Sequence, residues 1–260
     1  MSIDRRKFIR LSGLTALGLA GASAGNVLSD NAVDSTEAPQ THAPLVGKRW
    51  AMVIDIRKCM AAPDCNECSK ACHYVHNVPD FDNPKDEIKW IWKETFHHAF
   101  HDEGHEHIEE AIKHAKLPVL CNHCDDPPCA RVCPTGATWK REEDGIVMMD
   151  WHRCIGCRYC MAACPYGSRS FNWRDPRPHI KEVRSDFPAR MRGVVEKCTL
   201  CDERLARGKL PACVEACKEG ALTFGDLEDP NSEVRNLLRE HFTIRRKPGL
   251  GTQPEIYYIV

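Results

Sequence analysis

Sixteen cysteines stand in a chain of 260 residues, beside thirteen histidines. Cysteine at that density makes either a disulfide framework or a set of metal sites, and spacing decides between them. The cysteines fall into four groups of four: Cys59, Cys65, Cys68, Cys72; then Cys121, Cys124, Cys129, Cys133; then Cys154, Cys157, Cys160, Cys164; then Cys198, Cys201, Cys213, Cys217. Every group ends in C-x3-C and three begin with C-x2-C. None is left over. Thiolates so grouped can each donate to one metal atom. Gaps of two residues crowd neighbouring sulfurs too closely for easy pairing as disulfides.

The third group is the most specific. Cys154-Ile155-Gly156-Cys157-Arg158-Tyr159-Cys160-Met161-Ala162-Ala163-Cys164-Pro165 is the C-x2-C-x2-C-x3-C-P run of bacterial ferredoxins, in which the fourth cysteine binds the other cluster of a pair. The two-residue gaps wrap a tight loop around one cuboidal cluster. Gly156 lets the backbone come close to the sulfides, and the last gap sets the fourth cysteine one helical turn on. Proline follows the fourth cysteine here and again at Cys133-Pro134, fixing the exit of the chain. Structural zinc is the competing chemistry, because C-x2-C pairs also build zinc ribbons. Zinc takes two pairs, and a three-plus-one pattern fits it badly.

The elements that must hold these loops are visible as repeats. Val53-Ile54-Asp55-Ile56-Arg57-Lys58-Cys59 aligns with Met148-Met149-Asp150-Trp151-His152-Arg153-Cys154: a short apolar strand, an aspartate, and a cysteine four residues later. Gly136-Ala137, Gly167-Ser168 and Gly220-Ala221 occur at one offset after the fourth cysteine of their groups, each ahead of a short strand. The repeats predict an α+β fold with two ferredoxin-like units, each holding two clusters.

Ahead of these lies a segment of another kind. Asp4-Arg5-Arg6-Lys7-Phe8-Ile9-Arg10 precedes an apolar, small-residue run from Leu11 to Ala24 that ends in Ala22-Ser23-Ala24, an A-x-A cleavage pattern. Residues 1–24 resemble a twin-arginine export signal, and 25–48 read as a linker. That route carries proteins already folded, so clusters must be in place before export. The run is too short and too rich in Gly and Ala to span a bilayer comfortably. With 36 basic and 37 acidic residues, and no basic aromatic-rich stretch, nucleic acid is not an expected partner.

In order and spacing the four groups resemble the iron–sulfur subunits of the dimethyl-sulfoxide-reductase superfamily. The likeness runs from about Arg49 to the C-terminus. Gly225-Asp226-Leu227-Glu228-Asp229-Pro230-Asn231-Ser232-Glu233-Val234 and Gly249 to Ile259 are similar to the tail of polysulfide- and tetrathionate-reductase electron-transfer subunits. Within that group the chain looks most like the periplasmic O subunit of the Dsr sulfate-reduction membrane complex. The twin-arginine pattern agrees with this, as do Cys72-His73-Tyr74-Val75-His76-Asn77-Val78-Pro79 and the want of a C-terminal membrane anchor.

The resemblance pairs group one with group four and group two with group three, which implies two interleaved dicluster bacterial-ferredoxin-like domains with long irregular loops, residues 49–118 with 185–260 and residues 119–184. It implies four 4Fe–4S clusters and a set of ligands for each. One takes Cys59, Cys65, Cys68 and Cys217; its neighbour takes Cys198, Cys201, Cys213 and Cys72. Of the other pair, one takes Cys121, Cys124, Cys129 and Cys164, the other Cys154, Cys157, Cys160 and Cys133. Group one departs from the family pattern, with Met60 to Asp64 inserted where two residues are usual; a bulged loop can still deliver Cys59. The implied function is electron transfer between a quinone-interacting integral membrane subunit and a periplasmic cytochrome or molybdopterin catalytic subunit. No catalytic site or small-molecule substrate of its own is expected, since the chain shows no nucleophile–base constellation and no Walker or dinucleotide loop. The alternative within the family is the small subunit of a periplasmic molybdopterin reductase; outside it, a zinc-stabilised interaction module.

Three further features carry weaker signals. His97, His98, His101, His105, His107 and His114 could hold a metal or face a partner's haem, though a solvated insertion explains them as well. Trp90, Trp92, Trp151 and Trp173 are better read as packing than as electron relays. Lys58, Arg131, Arg153, Arg158 and Lys197 flank cysteines and could offset the negative charge of thiolate clusters.

Overall fold

The computed structural model describes residues 43–103 and 108–260. The export-signal pattern, most of the linker, and His105 and His107 lie outside these residues. The described chain is mixed α+β, with short helices and small sheets joined by long loops. Ten strands are described: β1 (Trp50–Asp55), β2 (Ile91–Thr95), β3 (Lys116–Leu120), β4 (Thr138–Lys140), β5 (Val147–Met149), β6 (Ser170–Phe171), β7 (Val195–Glu196), β8 (Leu222–Asp226), β9 (Thr243–Ile244) and β10 (Ile256–Ile259).

The largest sheet has the order β8-β1-β10-β9. β1 runs parallel to β10, with Met52 opposite Ile256, and antiparallel to β8, with Met52 opposite Phe224. The sequence Trp50-Ala51-Met52-Val53-Ile54 does not alternate, because both faces of β1 are covered. Met52 and Ile54 enter the main core with Trp90, Leu117 and Tyr258. Ala51 and Val53 face the helix Glu233–Glu240 through Val234, Leu237 and Leu238. Three two-stranded ribbons, β2–β3, β4–β5 and β6–β7, complete the described sheets.

The glycine repeat has a backbone cause. Gly136, Gly167 and Gly220 have φ of +64°, +65° and +58°, the left-handed region that other residues enter at a cost. Each turns the chain from its fourth cysteine into the next strand: β4, β6 or β8. Gly156 also meets a steric limit from elsewhere in the chain. A Cβ there would run into the Gly193 carbonyl oxygen, so close passage of another loop excludes a side chain.

Candidate iron–sulfur centres

The aspartate of the strand repeat turns the chain toward its cysteine. Asp55 caps the helix Ile56–Met60 by accepting from the Lys58 amide at 3.0 Å, one residue before Cys59. Asp150 accepts from the His152 and Arg153 amides at 2.8 and 3.3 Å, one residue before Cys154. A short polar side chain that satisfies the first free amides of a turn is the physical content of this repeat.

Each C-x3-C ending spans a short helix, and the two cysteines diverge. Cys68 and Cys72 lie on the helix Glu67–Val75. Burial pushes the Cys68 thiol up, and Cys59 is the thiol that adds most to that shift. Burial pushes Cys72 well up, and Cys198, Cys201 and Cys213 add to it. Group four mirrors this. Cys213 belongs with Cys198, whereas Cys217 lies beside Cys59, as does Cys65. Across the five-residue insertion the half-buried Cys59 thiol lies near those of Cys65, Cys68 and Cys217, and Lys93 Nζ donates to it at 3.5 Å.

In groups two and three the last cysteine lines a cavity with the first three of the other group. One small cavity is lined by Cys121, Cys124, Cys129 and Cys164. A second is lined by Cys133, Cys154, Cys157 and Cys160. Cys129 and Cys133 flank the end of the helix Pro128–Arg131, and Cys160 and Cys164 flank that of the helix Tyr159–Ala163; these helices pack together.

No two of the sixteen cysteines form a disulfide. Burial raises Cys124 and Cys198 to about 12, with Cys121 the largest thiol contribution to each. Cys133 is the exception. Burial pushes it up, but the Thr138 amide and the Thr135 hydroxyl and amide more than offset this and bring it below the ordinary thiol value. Thiols that line two small cavities four at a time fit a cationic metal–sulfide core, which holds them as thiolates.

A 4Fe-4S dicluster domain profile matches residues 112–179 and 184–227. The Hdr-like menaquinol oxidoreductase iron-sulfur subunit 1 of Archaeoglobus fulgidus is 40% identical, covering 98% of this chain and 97% of its own. The menaquinone reductase iron-sulfur cluster-binding subunit of Nitratidesulfovibrio vulgaris is 37% identical over 81% of this chain and 88% of its own. The arsenate respiratory reductase iron-sulfur subunit ArrB of a Shewanella species is 38% identical over 81% and 96%. The chain belongs to the 4Fe–4S dicluster family of electron-transfer subunits. Its sixteen cysteines carry four clusters, and the clusters supply one-electron redox chemistry.

Several surroundings of this dicluster subunit's thiols were not legible in its sequence. Arg169 is 4% exposed; its Nη2 donates to Cys129 Sγ at 3.0 Å and its Nη1 to Thr138 Oγ1 at 3.1 Å. Nothing in the sequence distinguishes it from a surface arginine. His76 is buried, donates from Nδ1 to the Cys72 carbonyl at 2.8 Å, and stacks on Trp90 at 4.6 Å. The adjacent Asn77 exchanges hydrogen bonds with Arg184, giving its amide to that carbonyl at 2.9 Å and accepting from that backbone N–H at 2.8 Å. Cys72 to Pro79 is thus a loop anchor as well as a motif. In the histidine-rich segment, exposed His98, His101 and His114 each pair with a carboxylate: Glu94, Asp102 and Glu110. Among the described residues this segment supplies no convergent three-ligand group. Trp90 is fully buried and donates to Glu196 at 2.9 Å; Trp92 and Trp151 pack partly buried against the core, and Trp173 is 46% exposed.

Proposed function

We propose that this chain carries electrons along a row of four centres, between a quinone-interacting membrane subunit and a periplasmic redox partner such as a multihaem cytochrome. The ligand sets are those implied by the family, two dicluster domains interleaved as 49–118 with 185–260, and 119–184. The observation that carries the reading is the succession of the thiols and their exposure. Cys59 leads through Cys68 to Cys213, Cys198 to Cys121, and Cys129 to Cys160. In the two end sets Cys59, Cys65, Cys217 and Cys133, Cys154, Cys157 are half-buried, with Cys68 and Cys160 buried; in the two inner sets only Cys164 is half-buried. A row open at both ends and closed in the middle accepts electrons at one surface and delivers them at another.

The quinone side of the proposal draws on the printed names of the Archaeoglobus and Nitratidesulfovibrio relatives. Membership of the Dsr-type O subunits and a periplasmic location, reached by the twin-arginine route and held at the membrane through partners, rest on the sequence patterns alone. No helix among the described residues is long and apolar enough to cross a membrane. The arsenate-reductase relative favours the second reading, the small subunit of a molybdopterin reductase. Anaerobic purification of the native complex tests the choice. A haem-bearing or quinone-reactive partner supports the first reading, and a molybdenum subunit replaces it with the second. Isolated protein is expected to be brown, with about sixteen iron per chain and matching acid-labile sulfide. Stoichiometric zinc without sulfide overturns both.

A further inference from the structure

Five cations flank cysteines in the sequence, and burial separates one from the rest. Lys58, Arg131 and Arg153 are more than half exposed and pair with Asp55, Asp126 and Asp150 at 3.9, 3.6 and 3.2 Å. Arg158 lies over the exposed Trp173 at 4.7 Å. Lys197 is 0% exposed. Among the described residues it forms no ion pair. Its Nζ donates to the carbonyls of Val147 and Cys198, the latter at 2.7 Å. Strand alternation separates it from its neighbour Glu196, which turns the other way to meet Arg190 and Trp90.

A buried ammonium without a carboxylate is costly unless other negative charge faces it. Here that charge is sulfur: one carbonyl that Lys197 holds is that of Cys198 itself, and the other is that of Val147, which lines the cavity of Cys121, Cys124, Cys129 and Cys164. Burial lowers the lysine from its ordinary value and Arg169 adds to this, while Cys121, Cys198 and Cys129 oppose it. Those thiols belong to two centres, group four's and group two's, at the middle of the row. Arg169 holds the equivalent place one step along, where the fields of Cys129, Cys160 and Cys121 favour it. A four-thiolate cluster is anionic and gains one more negative charge on reduction. A fixed cation in a low-dielectric, salt-excluded site therefore favours the reduced form.

We propose that Lys197 is a potential-setting residue shared by the two inner centres, holding both reduction potentials above those they would otherwise have. The inference rests on the ligand sets proposed above. The test is a redox titration of the full-length, fully loaded protein, followed by electron paramagnetic resonance, on wild type, Lys197→Gln and Lys197→Arg. Glutamine keeps donors for the two carbonyls and loses the charge; arginine keeps both. The expected result is that K197Q moves two of the four midpoints downward and leaves two in place, while K197R stays near wild type. Loss of iron by K197Q but not K197R also supports the role, since charge alone separates the two. If the two variants behave alike, or all four midpoints move together, the proposal is overturned. A wild-type protein holding fewer than four clusters would instead remove the reading beneath it.

Discussion

Cys129 and Cys133 are four positions apart and line different cavities, because a short helix ends between them and the chain leaves it on another heading. Replacing Cys133 by Ala should strip one ligand from the centre of Cys154, Cys157 and Cys160 and leave the Cys121 centre whole. A structure of the loaded protein checks this directly: Cys133 Sγ bonded to the same cluster as Cys121 would sink the exchange model. The raised thiols make a second expectation at this scale. Cys72, Cys198, Cys201 and Cys213 all sit above their ordinary value through burial, so they are protonated in the unloaded chain at neutral pH. Iron must displace those protons. Reconstitution in weak buffer should therefore release acid, and loading should weaken as pH falls; proton uptake, or none, would contradict it. Gly136 isolates the backbone cost of the turn, since nothing lies within 4 Å of a Cβ built there. Gly136→Ala should cost about 1–2 kcal/mol in thermal unfolding, whereas Gly249→Ala, equally open but without a positive φ, should be neutral or slightly stabilising.

At the scale of elements, much was legible where a sequence signal had a single local cause. The strand–aspartate–cysteine repeat appears as β1 and β5, each ending in a turn that its aspartate caps. The glycine offsets became left-handed turns into β4, β6 and β8. What was not legible depends on partners far apart in the chain. Arg190 Nη2 meets Glu196 Oε2 at 2.7 Å, both side chains essentially inaccessible, and the carboxylate also takes Trp90 and Asn172. Read singly, each of these residues looks like an ordinary surface charge or a packing aromatic. The cluster ties β7 to the loop before β2 and to the strand end after β6. Removing one partner leaves a buried charge uncompensated, so Arg190→Met should cost about 3–5 kcal/mol. Denaturant unfolding of the loaded protein measures it, and a loss under about 1 kcal/mol would mean the pair is solvated.

At the scale of the molecule, cysteine count and spacing were enough for four clusters, because metal chemistry allows few arrangements of sixteen thiols. The sheet was less accessible. Its strands come from residues 50–55, 222–226, 243–244 and 256–259, and β1 carries no alternation to say which face is buried. Two faces are covered, one of them by a helix nearly 200 residues later, which no local window can register. The export-signal pattern makes its own prediction. Replacing Arg5 and Arg6 together by Lys should leave loaded precursor in the cytoplasm; normal delivery of the double variant, seen by fractionation, would mean that residues 1–24 serve another purpose.

The pairing of β1 with β10 also sets an order of events during synthesis. The first described strand lies between partners at residues 222–226 and 256–259, made long after it, and Cys59 lies near Cys217 in the same way. A nascent chain released before Ile256 has neither a closed sheet nor a parallel neighbour for its most buried strand. Groups two and three, nearer each other in the chain, can gather their thiols earlier. The thiols of groups two and three can thus meet while the chain is still growing, whereas those of groups one and four meet only after residues 198–217 have been made.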